Sequence, residues 1–141
     1  MTQTMTSSTS NNDLNAYYTA VQQTGKLRTP DHARRWSHAT LRTLALNLNG
    51  RTKKQLANAL PEELSKQLKR QFWLLHFRNK SLTCLEFQKM VANRAGNTDA
   101  QFARYPVTAT FHSLKSLIPA DVSKAVADTL SPELSEMWQN A

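Results

Sequence analysis

The sequence contains few residues that break helices, a single cysteine, and no long apolar run. Its 141 residues include only three glycines and five prolines. This composition favours helix over sheet, because the apolar residues are mostly Leu and Ala. No segment approaches the ~20 consecutive apolar residues that a membrane-spanning helix requires. We therefore expect an all-α protein with no membrane partner.

The N-terminal residues and the cysteine content indicate in which cellular compartment the protein is found. Residues 1–12 have neither the basic nor the apolar part of a signal peptide. They are rich in Ser and Thr, so we predict a disordered tail, followed by one all-helical domain over residues 13–141. The single Cys84 excludes an intramolecular disulfide and fits a reducing compartment. These features predict a cytoplasmic protein.

The charge of the chain is unevenly distributed. The formal net charge is +8 at pH 7. Residues 1–80 carry 13 Lys and Arg against 4 acids, whereas residues 81–141 carry 5 against 6. The basic character therefore belongs to the first part of the chain, which makes that part the first place to look for an anionic partner.

Signals for the start of a helix recur along the whole chain. Ser, Thr and Asp side chains cap the free amides of a first turn, and Pro is tolerated within that turn. Such signals occur at Asp13, Thr29 with Pro30, Thr52 with Gln55, Pro61, Thr83 with Glu86, Thr98 with Gln101, Asp121, and Ser131 with Pro132. They predict about eight helices.

The two parts of the sequence are similar to each other. Aligning each residue with the one 70 positions later gives 11 identities over the 36 positions from Ala33 to Leu68. Average residue usage would give roughly two. We predict a tandem duplication into halves of about 14–76 and 84–141, each with four helices, packed around a pseudo-twofold axis.

One pair breaks this agreement, because Trp36 is matched by Pro106. Proline inside a helix removes a hydrogen bond and clashes with the preceding turn. We therefore expect a break in the second-half helix, or a late start near Tyr105.

Three segments resemble a known family. They are Trp36–Leu48, the Leu-Pro step within Leu56–Leu64, and the second-half counterpart of that step, Leu130–Trp138. Together they resemble the bacterial family catalogued as domain of unknown function 2267, over about residues 14–139. The resemblance implies an all-helical duplicated fold in the bacterial cytoplasm. It implies no activity and supplies no catalytic residue.

The histidines do not form a metal-binding pattern. None of the four lies at the spacing that places several ligands on one helix face, and a metal site needs three or four converging ligands. They are His32, His38, His76 and His112. We expect neither metal nor other cofactor and interpret them as surface or partly buried helix residues.

Three further residues could carry chemistry but have structural explanations. Cys84 follows the Thr83 cap, where a helix N-terminus favours the thiolate, yet no His is near in sequence. Glu63 and Glu133 are paired by the repeat and lie in first turns, where a carboxylate suits the helix dipole. We interpret the cysteine as a structural thiol and the pair as helix-stabilising acids, so no catalytic residue is predicted.

The basic residues of the first half are the strongest functional lead. Basic side chains on a helix face neutralise phosphates, and the interleaved aromatics Phe72, Trp73 and Phe77 can stack on bases. The alternatives are a solvated surface or a site for an acidic protein. The candidate residues are Arg34, Arg35, Arg42, Arg51, Lys53, Lys54, Lys66, Lys69, Arg70, Arg78 and Lys80.

Two functions of different classes follow from these features. The first is a non-enzymatic binding or protein-interaction module whose partner is another protein or a second copy of the chain in a homodimer, because Met137 and Trp138 stand near an otherwise polar C-terminus. The alternative is nucleic-acid binding through the basic first half. No small-molecule ligand is indicated by the sequence, and an enzyme is the weakest of the three interpretations.

Overall fold

The computed structural model describes residues 2–69, 80–97 and 99–141, with the backbone alone for residues 2–12. Within these ranges the chain forms eight helices and no strand. The helices are α1 (Thr2–Thr24), α2 (Pro30–Ala45), α3 (Gly50–Ala59), α4 (Glu62–Lys69), α5 (Cys84–Arg94), α6 (Arg104–Leu117), α7 (Ala120–Thr129) and α8 (Pro132–Asn140). The predicted all-α class is confirmed.

The first helix begins earlier than the sequence indicates. We placed its start at Asp13, after a disordered tail over residues 1–12, whereas the α1 backbone is helical from Thr2. Between Thr2 and Thr24 there is neither proline nor glycine, so no residue in this stretch enforces a helix stop. Gly25 follows the end of α1.

Several predicted helix starts are confirmed, because their signals act within a few residues. Thr29 caps α2 and accepts a hydrogen bond from the His32 amide, with Pro30 in the first turn. Thr83 and Glu86 form the reciprocal capping box of α5.

Two predicted caps are wrong. The cap of α3 is Asn49, whose side-chain oxygen accepts from the Thr52 amide at 2.8 Å. The Thr52 hydroxyl instead lies 3.0 Å from that of Thr129 on α7. Asp121 lies inside the first turn of α7, which begins after Pro119. Both errors arose because a polar residue in the first turn of a helix need not be the residue whose side chain caps that helix.

The expected late start at Pro106 is confirmed. Helix α6 begins at Arg104, so Pro106 is in its first turn. The first amides of a helix have no intrahelical acceptor, and the missing proline N–H therefore costs no hydrogen bond there.

Helices 70 residues apart have corresponding bounds and contacts. The bounds of α3 and α7 differ by this offset at both ends. Helix α1 packs against α6, α2 packs against α5, and α3 packs against α7. A twofold relation between the predicted halves would produce these pairings. The duplication itself stays a prediction from the sequence, and residues 70–76 of its first half lie outside the described residues.

The core runs through both halves. Leu41, Leu44, Phe87 and Phe111 are completely buried in it, and each such side chain contributes roughly 1.5–3 kcal/mol through removal from water. Trp138 is also buried, against Phe111, and its indole N–H donates to the Ser123 carbonyl at 3.1 Å. Trp138 is therefore a core residue and does not support an exposed interaction surface at the C-terminus.

The structure also addresses membrane insertion. Among the helices that it describes, none is both long and apolar enough to span a bilayer.

The corrected cap of α3 leads to a direct test. Replacing Asn49→Ala removes the acceptor of the Thr52 amide, so it should lower the free energy of unfolding by about 1 kcal/mol. The matched control is Gln55→Ala, which alters the residue of the expected capping box and should change stability by less than about 0.5 kcal/mol. Urea denaturation followed by circular dichroism measures both. A larger loss in the free energy of unfolding for Gln55→Ala than for Asn49→Ala would contradict the assignment of Asn49 as the cap of α3.

Candidate functional site

The structure describes most of the predicted basic residues and distributes them over three helices and a turn. Arg34, Arg35 and Arg42 are on α2, while Arg51, Lys53 and Lys54 are on α3. Lys66 and Lys69 are on α4, and Lys80 precedes α5. Arg70 and Arg78 lie outside the described residues, as do the aromatics Phe72, Trp73, His76 and Phe77.

Three of these cations interact with polar groups of α4. Arg34 Nη2 lies 3.6 Å from Glu63 Oε1, and Lys66 Nζ lies 3.7 Å from Glu62 Oε1. Arg42 Nε donates to Gln67 Oε1 at 3.0 Å. Exposed ion pairs contribute little stability, at most about 1 kcal/mol. They nevertheless reduce the positive charge that this part of the surface offers to an anion.

Arg35 belongs to a different place on the surface. It lines a polar cleft of about 560 Å³ together with Lys26, Arg28, His32 and Asp99. Lys26 and Arg28 come from the loop before α2, and sequence reasoning did not single them out. Both residues contribute to the positive net charge of the sequence, but their position beside Arg35 in one cleft depends on how the loops fold.

A partly buried polar network joins α1, α2 and α4. The Tyr18 hydroxyl lies 2.8 Å from His38 Nε2 and donates to Glu63 Oε2 at 3.1 Å. Next to it, the Tyr17 hydroxyl hydrogen-bonds the Ser37 hydroxyl. Burial, and next the neighbouring Glu63 carboxylate, raise the pKa of Tyr18 well above its usual value, so it remains a neutral donor.

This network extends the interpretation of Glu63. The sequence explained this carboxylate by the dipole of α4, and it does lie in the first turn. It also links α4 to Tyr18 and Arg34. The sequence assigned Tyr18 only to an apolar stripe and therefore missed its polar contacts.

The second half contains an open pocket at the corresponding junction, between α5, α6 and α8, with the end of α1 on one side. Its volume is about 550 Å³. Ala109, Met137 and the ring of Tyr105 supply carbon surface, and Gln88, Arg104 and His112 supply polar groups. Sequence reasoning predicted no such site, because its lining is contributed by residues that are distant along the chain.

One wall of this pocket is the aromatic ring of Tyr105, which two cations contact. Lys26 Nζ lies 4.3 Å from the centre of the Tyr105 ring, and the Arg104 guanidinium lies 4.7 Å from it. Arg104 Nη2 also donates to the Tyr105 hydroxyl oxygen at 2.7 Å. That hydrogen bond and the two positive charges lower the pKa of Tyr105. The mouth of the pocket is consequently electropositive at this wall.

Cys84 lines the same pocket, but it is not activated as a nucleophile. Its amide donates to Glu133 Oε1 at 2.8 Å, and its thiol donates to the Glu133 carbonyl oxygen at 3.4 Å. Burial is the main cause that raises the pKa of the Cys84 thiol, and the Glu133 and Glu136 carboxylates add to it. These effects outweigh the helix N-terminus, which by itself would favour the thiolate.

Within residues 2–69, 80–97 and 99–141, no three His, Cys, Asp or Glu side chains come close enough together to hold a metal ion.

The environment of Cys84 predicts a pH profile. A free cysteine has a pKa of about 8.5. Because the pKa of Cys84 is raised, the rate of its alkylation by iodoacetamide should reach half of its maximum at a higher pH than the rate for a free cysteine does. Replacing Glu133→Gln removes one negative charge while keeping an acceptor for the amide, and should move the midpoint to lower pH. The matched control is Glu63→Gln, the equivalent acid of the first half, which should leave it unchanged. If the alkylation rate of the wild-type protein reached its midpoint at or below the pH found for free cysteine, the raised pKa of Cys84 would be contradicted.

Comparison with known proteins identifies the chain at the level of a family. No curated protein matches the sequence. A family model does match it, over residues 14–140, and its description is "Uncharacterized conserved protein (DUF2267)". The match covers α5 to α8 completely and the described parts of the first half from Leu14 onward. It therefore includes the Tyr18 network and every residue that lines the pocket except Ala141. The resemblance noted in the sequence is thereby confirmed, and the chain belongs to the DUF2267 family.

Proposed function

We propose that the protein is a non-enzymatic cytoplasmic binding module, and that the pocket between α5, α6 and α8 is its ligand site. The observation that carries this proposal is the pocket itself, about 550 Å³ in volume. Small-molecule sites are typically concave, mostly apolar, and about 300–1,000 Å³ in size, with few polar groups that orient the ligand. The carbon surface of Ala109, Met137 and Tyr105, with Arg104 and His112 beside it, fits that description.

The state of the potentially reactive groups supports binding rather than catalysis. The Tyr18 hydroxyl hydrogen-bonds both His38 and Glu63 and so links three helices, which gives these groups a structural role. The raised pKa of Cys84 keeps its thiol protonated near neutral pH. A nucleophile requires the opposite, a lowered pKa or a base within hydrogen-bond reach. The single cysteine also fits the reducing cytoplasm.

The pocket can be tested with 8-anilinonaphthalene-1-sulfonate, a dye whose fluorescence rises in apolar surroundings. We expect the wild-type protein to enhance its fluorescence, with saturation at one dye per chain. Thr108 lines the pocket, so Thr108→Phe should fill part of it and reduce this affinity at least about tenfold. The matched control Thr108→Val has the shape of threonine and should retain binding. An unchanged affinity in Thr108→Phe, or no enhancement by the wild type, would overturn this assignment.

Nucleic-acid binding is the second candidate, and it rests on exposed cations. In the part of the chain that the structure describes, Arg35, Arg51, Lys54, Lys69 and Lys80 are exposed, and no carboxylate forms an ion pair with them. Unpaired exposed cations are the groups that neutralise phosphates. The ion pairs of Arg34 and Lys66 and the hydrogen bond of Arg42 to Gln67 make the available surface smaller than the sequence suggests.

A salt titration tests this second candidate. If the four cations other than Arg35 contact phosphates of duplex DNA, the log of the affinity should fall with the log of the salt concentration with a slope of about −3.6. Replacing Arg51→Ser and Lys54→Ser together should reduce the slope by about two. The charge-matched control, Lys89→Ser with Lys124→Ser in the second half, should leave the slope unchanged. Fluorescence anisotropy measures these affinities, and absence of binding at low salt would end the candidate.

A further inference from the structure

The pocket occupies a position that is filled in the first half. Residues 70 positions before its lining residues Gln88, Thr108 and Met137 are Tyr18, His38 and Gln67. The lining residues of the pocket lie at the junction of α5, α6 and α8. Their counterparts 70 positions earlier lie at the junction of α1, α2 and α4. The same place in the two halves therefore holds side chains of different size and polarity.

In the first half these side chains satisfy one another. The ring of Tyr18 is buried, with its hydroxyl on His38 and Glu63. The Arg34 guanidinium lies 5.4 Å from the centre of that ring. The junction thus contains a phenol that is held by a cation on its face and by hydrogen bonds at its hydroxyl.

The second half retains two charged neighbours of this phenol but lacks the phenol. Arg104 and Glu133 stand 70 positions after Arg34 and Glu63, and both are near the pocket. The residue in the position of Tyr18 is Gln88, whose side-chain amide turns to the Ala100 carbonyl at 2.9 Å. Thr108, with a hydroxyl, replaces the imidazole of His38. These smaller side chains leave the space open.

We infer that the pocket binds a small molecule with a phenolic ring, placed as the Tyr18 ring is placed in the first half. Arg104 and the ring of Tyr105 would contact the aromatic faces and edges, and the Thr108 hydroxyl would hydrogen-bond the phenolic hydroxyl. The volume of about 550 Å³ accommodates a ligand larger than one ring, so the phenol would be one part of a larger molecule. This inference rests on the proposed function of the pocket.

The test compares p-cresol with 4-methylcyclohexanol, which has the same heavy atoms and hydroxyl but no aromatic ring. Binding is followed by amide chemical shifts of Cys84, Thr108 and Ala109 in the wild-type protein. We expect p-cresol to bind at least about fivefold more tightly, because only the aromatic ring interacts with Arg104 and Tyr105 through its π system. Equal affinities would overturn the phenol assignment while leaving an apolar binding pocket in place. Failure of the dye to bind would instead overturn the proposed function.

A pair of substitutions provides the matched variant. Gln88→Tyr together with Thr108→His introduces the first-half residues, which should fill the pocket, abolish the shifts caused by p-cresol, and raise the melting temperature. Persistence of those shifts in the folded double variant would overturn the inference. The ligand comparison needs no variant, so it decides the question even if the double variant does not fold.

Discussion

The end of α1 meets α6 at Gly25, a position where a carbonyl oxygen of α1 itself leaves no room for a side chain. A Cβ atom on Gly25 would lie 2.5 Å from the Val21 carbonyl oxygen and 3.1 Å from the Cα of Pro106. This contact brings the first half against α6, the helix that starts late because of Pro106. It also places Thr24 and Ala109 on neighbouring parts of the pocket wall. The shape of the pocket therefore depends on a backbone contact between distant parts of the chain.

The two junctions show how one helical arrangement can serve two purposes. At the first, Tyr18, His38 and Glu63 join three helices by hydrogen bonds and leave no polar atom of the phenol unsatisfied. Buried polar groups need such partners, since each one left without them costs about 1–3 kcal/mol. At the second, smaller side chains leave a space that a ligand can fill. The first junction thus contributes stability, and in our proposal the second contributes binding.

The difference in charge between the halves is a separate asymmetry. The positive charge of the first half is partly balanced by Glu62 and Glu63 on α4, and Arg35 joins Lys26 and Arg28 in another cleft. The cations that looked continuous in sequence are consequently divided among different surfaces. This division is why the pocket, rather than the basic segment, leads the functional proposal.

The sequence by itself determined the helical class, the caps at Thr29 and Thr83, and the late start of α6, because these depend on groups only a few residues apart. It misjudged the cap at Asn49 and the burial of Trp138, and it gave no indication of the pocket. Only the tertiary structure decided those features. A pocket is a volume left between side chains of several helices, and neither its size nor its polarity is encoded in any local pattern.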